Sequence, residues 1–229
     1  SIAFYEGNLT KEDVADQEAM TRVRARVGSL VRGGGITVAI LDTGIDAGHP
    51  DLTAEVRSAG WDFIDMDADP TDAPDGLDQD QDGLTDEAAG HGTHVAGVVH
   101  FIAPRAWLLP VRVLDSEGNG TVFGLAQGVL HATTAGAHVI NMSLALDGTS
   151  TVVEWTIQQA WAAGILSVSS AGNQGVETDT HFPASLPEVM GVAAVDADDM
   201  KATFSNYGSI VSMSAPGVGI VSNYLYHGY

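Results

Sequence analysis

The run Ile36-Thr37-Val38-Ala39-Ile40-Leu41, followed by Asp42-Thr43-Gly44, decides the fold. This run is continuously apolar and rich in β-branched residues, which is typical of a strand buried on both faces of a parallel sheet. Asp42 stands where the run ends. Open α/β sheets place ligands and catalytic groups at the carboxyl ends of their strands, so Asp42 is a candidate for chemistry. The structural alternative is a turn aspartate that bonds its own backbone.

Apolar runs and helical patterns alternate along the chain on both sides of this strand. The alternation predicts an α/β fold, with a mostly parallel central sheet covered on both faces by helices and connected by right-handed crossovers. The predicted strands are 61–64, 107–114 (interrupted by Pro110), 138–144, 165–169, 190–195 and 210–214; the predicted helices are 95–102, 122–134 and 151–163.

Residues 1–35 predict an N-terminal helix and a connector. Apolar residues recur there at helical spacing, and three glycines then stop the helix. The apolar positions are Val14, Met20, Val23, Val27 and Leu30, and the stop is Gly33-Gly34-Gly35.

Composition excludes several classes of protein. A formal net charge of -21 disfavours nucleic acid and anionic membrane surfaces as partners. With no cysteine there is no disulfide framework and no thiolate metal site. No apolar stretch is long enough to span a bilayer. The chain shows no signal peptide and starts at Ser1 without a methionine, which indicates a processed or excised segment.

The acidic charge is concentrated in one stretch. Residues 62–87 hold eleven of the thirty carboxylates, and no Lys or Arg occurs from Ser58 to Pro104. Residues 78–86 match the ligand spacing of a calcium loop, with a glycine at its sixth position. The twelfth position is Ala89 and not Glu, so Glu87 or Asp75 would have to replace it. We predict Ca²⁺ binding; a solvated acidic loop is the alternative. The predicted ligands are Asp78, Asp80, Asp82, the Leu84 carbonyl, Asp86 and Glu87.

The stretch His91-Gly92-Thr93-His94-Val95-Ala96-Gly97 follows directly. His91 opens a predicted helix, and the glycines around it let backbone or substrate come close. A core histidine at a helix start is the structural alternative. Asn173 follows another predicted strand. An aspartate that orients an imidazole, together with an amide aimed at an oxyanion, is the equipment of acyl transfer by a serine nucleophile.

At this point the sequence resembles the subtilisin-like serine proteases. The resemblance runs from about residue 36 to the end of the chain, and its motifs occur in the family's order. The motifs are Asp42-Thr43-Gly44-Ile45-Asp46 with His49-Pro50-Asp51-Leu52, His91 to Gly97, Val111 to Asp115, Asn141-Met142-Ser143-Leu144, Ala171-Gly172-Asn173, Phe204 to Gly208, and Ala215-Pro216-Gly217.

The resemblance implies a three-layer subtilisin-like fold and a calcium-stabilised serine endopeptidase. It makes Asp42 the residue that fixes the histidine tautomer, His91 the general base and then the acid, and Asn173 the oxyanion donor. His94 is expected to be structural. One wall of the substrate pocket is expected at Ser143, Leu144 and Ala145, and an edge that pairs with extended substrate at Gly118, Asn119 and Gly120.

Two departures from the family pattern matter. The family's Gly-Thr-Ser-Met-Ala nucleophile segment is expected beyond Tyr229, since Ser212 and Ser214 lie where the family has a strand. Residues 1–229 are therefore expected to form a single, C-terminally incomplete peptidase domain that is inactive alone. The family calcium loop that interrupts the helix after the histidine is also absent, so Asp51 is expected to have no calcium of its own.

The resemblance further implies a peptide or protein substrate, a propeptide inhibitor, a monomer and secretion. Two other hypotheses stay open. One is a catalytically dead, calcium-dependent binding or structural module on the same fold. The other is a metal hydrolase that uses His91, His94 and Asp42, although the Glu of a zinc-protease motif is missing.

Overall fold

A seven-stranded parallel sheet forms the centre of the computed structural model, which describes residues 10–23, 32–79 and 81–229. Its order within those residues is β2-β3-β1-β4-β5-β6-β7, and every pairing is parallel. The predicted α/β class is confirmed. The strands are β1 (Thr37–Asp42), β2 (Trp61–Asp62), β3 (Trp107–Arg112), β4 (Val139–Met142), β5 (Leu166–Ser170), β6 (Val189–Val195) and β7 (Met213–Pro216).

Helices cover both faces of the sheet. The helices of the described residues are α1 (Lys11–Asp16), α2 (Glu18–Arg22), α3 (His91–Ile102), α4 (Val122–Thr134), α5 (Thr151–Ala162) and a 3₁₀ turn (Leu225–His227), and α3, α4 and α5 provide this cover. The apolar sides of α4 and α5 join one core cluster, while α3 joins a second cluster on the opposite face. Among the described helices, none has the length and apolar character needed to cross a bilayer.

Strand β1 links the two cores because all six of its residues are buried. Ala39 and Leu41 belong to the cluster under α4 and α5, whereas Val38 and Ile40 belong to the cluster under α3. A strand whose alternate side chains enter two apolar layers must be apolar throughout, as the sequence of this strand predicts.

Pro110 lies inside β3 without interrupting it. Leu108 and Arg112 form backbone hydrogen bonds on the outer side of β3, which faces away from β1. Leu108 bonds to Glu55 and Arg57, and Arg112 bonds to Phe63. Pro110 is two residues from each of them, so its backbone nitrogen also faces the outer side. The absence of an N–H group on Pro110 therefore costs no hydrogen bond to β1.

The N-terminal helix differs from its prediction. It is broken at Gln17, whose backbone is extended (φ -58°, ψ 143°). The Gln17 side chain donates to the Val221 carbonyl at 2.7 Å and accepts from the Val221 N–H at 3.1 Å. A contact with the distant end of the chain thus outweighs local helix periodicity. The predicted positions Val27 and Leu30 lie outside the described residues. Strand β7 also starts three residues later than predicted.

The strand order reverses at β1, which has β3 on one side and β4 on the other. Such a reversal opens a crevice at the carboxyl ends of the neighbouring strands. Ile40 pairs with Asn141, and Asn141 with Val168. Two residues further along these strands lie Asp42, Ser143 and Ser170. These residues are therefore level with one another across the sheet, with about 4.8 Å between neighbouring strands.

Candidate active site

Asp42 and His91 meet at this crevice. His91 is the first residue of α3, and its Nδ1 lies 2.5 Å from Oδ1 of Asp42. Because an ionised carboxylate only accepts, Nδ1 of His91 carries the proton and Nε2 is left for proton transfer. Asp42 is fully buried, whereas the His91 side chain is 16% exposed. The sequence-predicted pair is thus in the geometry of an oriented general base.

Gly92 lets α3 approach the end of β1. A Cβ built on Gly92 would lie 2.1 Å from the carbonyl oxygen of Gly44 and 3.1 Å from Cβ of Asp42. The Gly92 N–H donates to Oγ1 of Thr43 at 3.0 Å, and the Asp46 N–H donates to Oγ1 of Thr93 at 2.9 Å. A side chain at residue 92 would separate the helix from β1 and with it His91 from Asp42.

Asp72 holds the N-terminus of α3, a role that the sequence did not reveal. Its carboxylate accepts from the N–H of Gly90 at 2.9 Å, from the N–H of Thr93 at 3.1 Å and from the Thr93 hydroxyl at 2.8 Å. The N-cap residue Gly90 has no side chain that could do this. Asp72 lies in the acidic run, where the sequence does not distinguish a buried capping carboxylate from a solvated one.

The surrounding charges raise the pKa of His91 above its ordinary value of 6.5. Burial acts in the opposite direction, but the charge of Asp42, the hydrogen bond to Asp42 and the charge of Asp72 outweigh it. For Asp72, a carboxylate, burial raises the pKa above its ordinary value. Oδ2 of Asp42 is buried and none of the described residues bonds to it.

His94 has different partners from His91. Its Nε2 lies 3.2 Å from the Ile220 carbonyl oxygen, and its own carbonyl accepts from the Ser222 hydroxyl at 2.7 Å. Burial lowers the pKa of His94. The two histidine rings therefore have different hydrogen-bond partners among the described residues. His94 joins α3 to the 217–229 segment.

Asn173 follows β5 at the same edge of the sheet, three residues after the end of the strand. The residue is exposed. Its position is compatible with a donor that faces the crevice, beside the strand ends that carry Asp42 and Ser143.

The model of the Subtilase family matches residues 33–228. The chain belongs to the subtilase family. This subtilase is 41% identical over 198 residues to the thermophilic serine proteinase of Bacillus sp. (strain AK1), covering 82% of the chain and 45% of that relative. It is 38% identical over 205 residues to thermitase of Thermoactinomyces vulgaris, covering 85% of the chain and 67% of thermitase.

A solved structure of a cold adapted subtilisin-like serine proteinase superposes on this subtilase with a TM-score of 0.76 and 32% identity, covering 88% of the chain and 70% of that structure. The predicted three-layer subtilisin-like fold is thereby confirmed. The chain spans only about half to two thirds of the length of the two curated relatives.

The predicted substrate-binding segments flank the crevice in this subtilase. Ser143, Leu144 and Ala145 leave the end of β4, where Oγ of Ser143 accepts from the Asn141 amide at 2.9 Å. Gly118, Asn119 and Gly120 form a turn closed by Asp115, whose Oδ1 accepts from the Asn119 N–H at 2.8 Å. Gly118 has a φ of +81°, which favours glycine.

The predicted calcium loop is organised by its own carboxylates. Asp78 accepts from the N–H groups of Asp82 and Gly83 at 3.2 and 3.0 Å, and Asp82 accepts from the Leu84 N–H at 2.8 Å. These are hard oxygen donors suited to Ca²⁺. Asp86 instead accepts from the N–H groups of residues 75 and 76. Asp80 lies outside the described residues, and among those described no three His, Asp or Glu side chains converge on a metal position.

Asp51 is neutralised by a lysine. Its carboxylate contacts Nζ of Lys11 and accepts from the Tyr229 hydroxyl at 2.8 Å. Burial raises the pKa of Asp51, but hydrogen bonds from Lys11 and Tyr229 hold it below its ordinary value. An ammonium group thus balances this carboxylate.

Neither of the two serines that the sequence analysis excluded as the nucleophile lies beside His91. Ser214 is a residue of β7 and Ser212 precedes that strand. Gly148-Thr149-Ser150 also precedes a helix, but Ser150 is the N-cap of α5 and its Oγ accepts from the Val153 N–H at 3.3 Å. Within the described ranges, the hydrogen bond of the His91 ring is the one that its Nδ1 donates to Oδ1 of Asp42.

Proposed function

We propose that this subtilase chain carries the aspartate and histidine of a serine endopeptidase that hydrolyses peptide bonds by an Asp-His-Ser triad. The observation that supports the proposal is the 2.5 Å contact between Nδ1 of His91 and Oδ1 of Asp42 at the carboxyl edge of a parallel sheet. Peptides and proteins are the substrate class that serine proteinase relatives imply.

In the proposed reaction, Nε2 of His91 takes the proton of a serine hydroxyl as that oxygen attacks the scissile carbonyl. Asp42 holds the imidazole in the tautomer that can accept this proton and stabilises the imidazolium that forms. His91 then gives the proton to the leaving amine. Asn173 donates to the oxyanion of the tetrahedral intermediate.

The nucleophile of this proposal is a serine that follows Tyr229 in the intact protein. The family places it in a Gly-Thr-Ser-Met-Ala segment, and that segment does not occur in these 229 residues. We therefore expect this chain alone to be inactive.

Substrate backbone in this proposal extends between the Gly118–Gly120 edge and the Ser143–Ala145 wall. Both segments border the crevice, and paired backbone hydrogen bonds would hold a peptide there irrespective of its side chains. Ala145 carries a methyl group where the family has glycine, which narrows the pocket that receives the side chain before the scissile bond.

Calcium belongs to the proposal as a structural ion. Asp78, Asp82 and the Leu84 carbonyl would hold it, with Asp80, Asp86 and Glu87 as the other ligands predicted from sequence. The ion would compensate the carboxylates that precede α3 and stiffen the approach to His91. Secretion, a propeptide inhibitor and a monomeric state are carried over from the family as further parts of the proposal.

The direct test is hydrolysis of a peptide substrate by the full-length protein and by its His91→Ala variant. The proposal expects hydrolysis that depends on His91. A well-folded full-length protein that cleaves no peptide at saturating calcium would favour the binding module instead.

A further inference from the structure

The loop that carries Asn173, residues 171–176, is held by another part of the chain. Segment 204–207, between β6 and β7, bonds the loop on both sides of Asn173. The Asn206 N–H donates to the Gly172 carbonyl at 2.9 Å, the Gly175 N–H to the Phe204 carbonyl at 2.6 Å, and the Tyr207 N–H to the Val176 carbonyl at 3.0 Å.

The side chain of Asn206 completes this attachment. It is 1% exposed. Its Oδ1 accepts from the N–H groups of Gln174 and Val176 at 3.0 and 3.2 Å, and its Nδ2 donates to Oε1 of Gln174 at 2.7 Å. One buried carboxamide therefore bonds the residue that directly follows Asn173 through both backbone and side chain.

Gly172 permits this close packing from the other direction. Its φ is +97°, and a Cβ there would lie 2.5 Å from Nδ2 of Asn206 and 2.5 Å from Cε1 of His181. The residue before Asn173 is thus confined between two side chains, while the residue after Asn173 is bonded by Asn206. The backbone on each side of Asn173 is fixed even though Asn173 itself is exposed.

We propose that Asn206 is a positioning residue that sets the direction of the Asn173 carboxamide toward the oxyanion. This inference rests on the proposed function. An oxyanion donor acts only when it lies about 2.7–3.1 Å from the developing charge, and a misplacement of about 1 Å can lower a rate about 10²-fold. The backbone of residues 172–174 decides where the short Asn173 side chain reaches.

A double-mutant cycle in the full-length protein tests this role. Asn206→Ala is expected to lower kcat about 10- to 100-fold and to leave KM within about threefold, since the lost interaction belongs to the transition state. In an Asn173→Gly background, the same change is expected to lower kcat by no more than about twofold, the usual limit of additivity.

Two further variants separate positioning from general stability. Asn206→Asp keeps both acceptor contacts and is expected to retain more than about a third of kcat because the loop N–H groups stay bonded. Thr156→Ala removes a buried hydroxyl in α5, outside segment 204–207, which donates to the Val153 carbonyl at 2.8 Å. It is expected to lower the melting temperature without lowering kcat. If Asn206→Ala does not fold, Asn206→Ser replaces it in the cycle.

Equal losses of kcat from the Asn206 change in both backgrounds would overturn the inference. A loss in Asn206→Asp as large as that in Asn206→Ala would overturn it too. If Asn173→Gly alone leaves kcat unchanged, the oxyanion assignment of the proposed function is wrong and this inference falls with it. A loss from Asn173→Gly without any from Asn206→Ala would remove the inference and leave the proposed function standing.

Discussion

Asp42 and His91 show how one hydrogen bond can set a pH dependence. A general base must be neutral, so activity is low below the pKa of His91 and rises as pH passes through it. Because Asp42 and Asp72 raise that pKa, the acid limb of kcat/KM is expected to have its midpoint above 6.5. The protonated imidazole also stabilises the fold. This stabilisation is complete below pH 6.5 and is lost as pH rises through the raised pKa.

Asp42→Asn is expected to lower kcat about 10⁴-fold, because an asparagine favours the wrong imidazole tautomer. The remaining activity is expected to show its acid midpoint at a lower pH, since the charge and the ionic hydrogen bond are gone while the burial of His91 remains. A pH profile of kcat/KM for both proteins gives the comparison. A midpoint that does not move would mean that Asp42 does not set the pKa of His91.

Gly92 is a residue whose role is purely steric. Gly92→Ala would force Cβ to within 2.1 Å of the Gly44 carbonyl, so we expect a loss of about 1–3 kcal/mol in the free energy of unfolding together with a loss of activity. Gly34→Ala is the matched control, because nothing lies within 4 Å of that position. Urea denaturation of both variants measures the difference. Equal stabilities would contradict the packing argument.

At the scale of elements, α3 depends on capping groups that are distant in sequence. The N–H of His91 donates to the Ala88 carbonyl at 2.9 Å, that of Gly92 to Thr43 and that of Thr93 to Asp72. The first turn of a helix leaves its N–H groups unbonded unless other groups accept from them. Two of these acceptors precede the helix by about 20 and 50 residues, so local sequence signals for a helix start do not reveal them.

Asp72→Ala is expected to reduce the free energy of unfolding by about 1–3 kcal/mol, because the buried N–H groups of Gly90 and Thr93 lose their acceptor. The loss of its charge should also move the acid limb of activity to lower pH, by less than Asp42→Asn does. Asp147→Ala, a change at an exposed aspartate, serves as the control. Thermal denaturation and a pH profile measure both effects. If Asp72→Ala behaves like Asp147→Ala, α3 does not depend on this cap.

At the scale of the whole molecule, the sequence predicted the sheet well but did not predict the long-range contacts that hold the site residues in place. The apolar run at 36–41 predicted β1 because a strand between two cores has no polar face. Asp42 and His91 were predictable because their positions at a strand end and a helix start are local features. The roles of Asp72 and Asn206 depend on contacts across 18 to 32 residues, and the break at Gln17 depends on residue 221.

The calcium proposal for the acidic loop can be tested on the stability of the whole molecule. With a net charge of -21 and eleven carboxylates in residues 62–87, removal of a bound cation would leave uncompensated repulsion before α3. A chelator is therefore expected to lower the melting temperature, and Asp82→Ala is expected to lower it and to abolish the chelator's effect. Asp179→Ala, outside the loop, is expected to retain that effect. Melting that is indifferent to both chelation and Asp82→Ala would exclude the calcium proposal.

Labelling of the full-length protein with a fluorophosphonate tests the central claim most directly, since this reagent reacts with a serine only when a neighbouring base activates it. We predict that the wild-type protein is labelled on one serine beyond Tyr229 and that His91→Ala abolishes the label. Labelling that persists without His91, or a folded, calcium-loaded wild-type protein that takes up no label, would contradict the assignment of Asp42 and His91 to a serine peptidase triad.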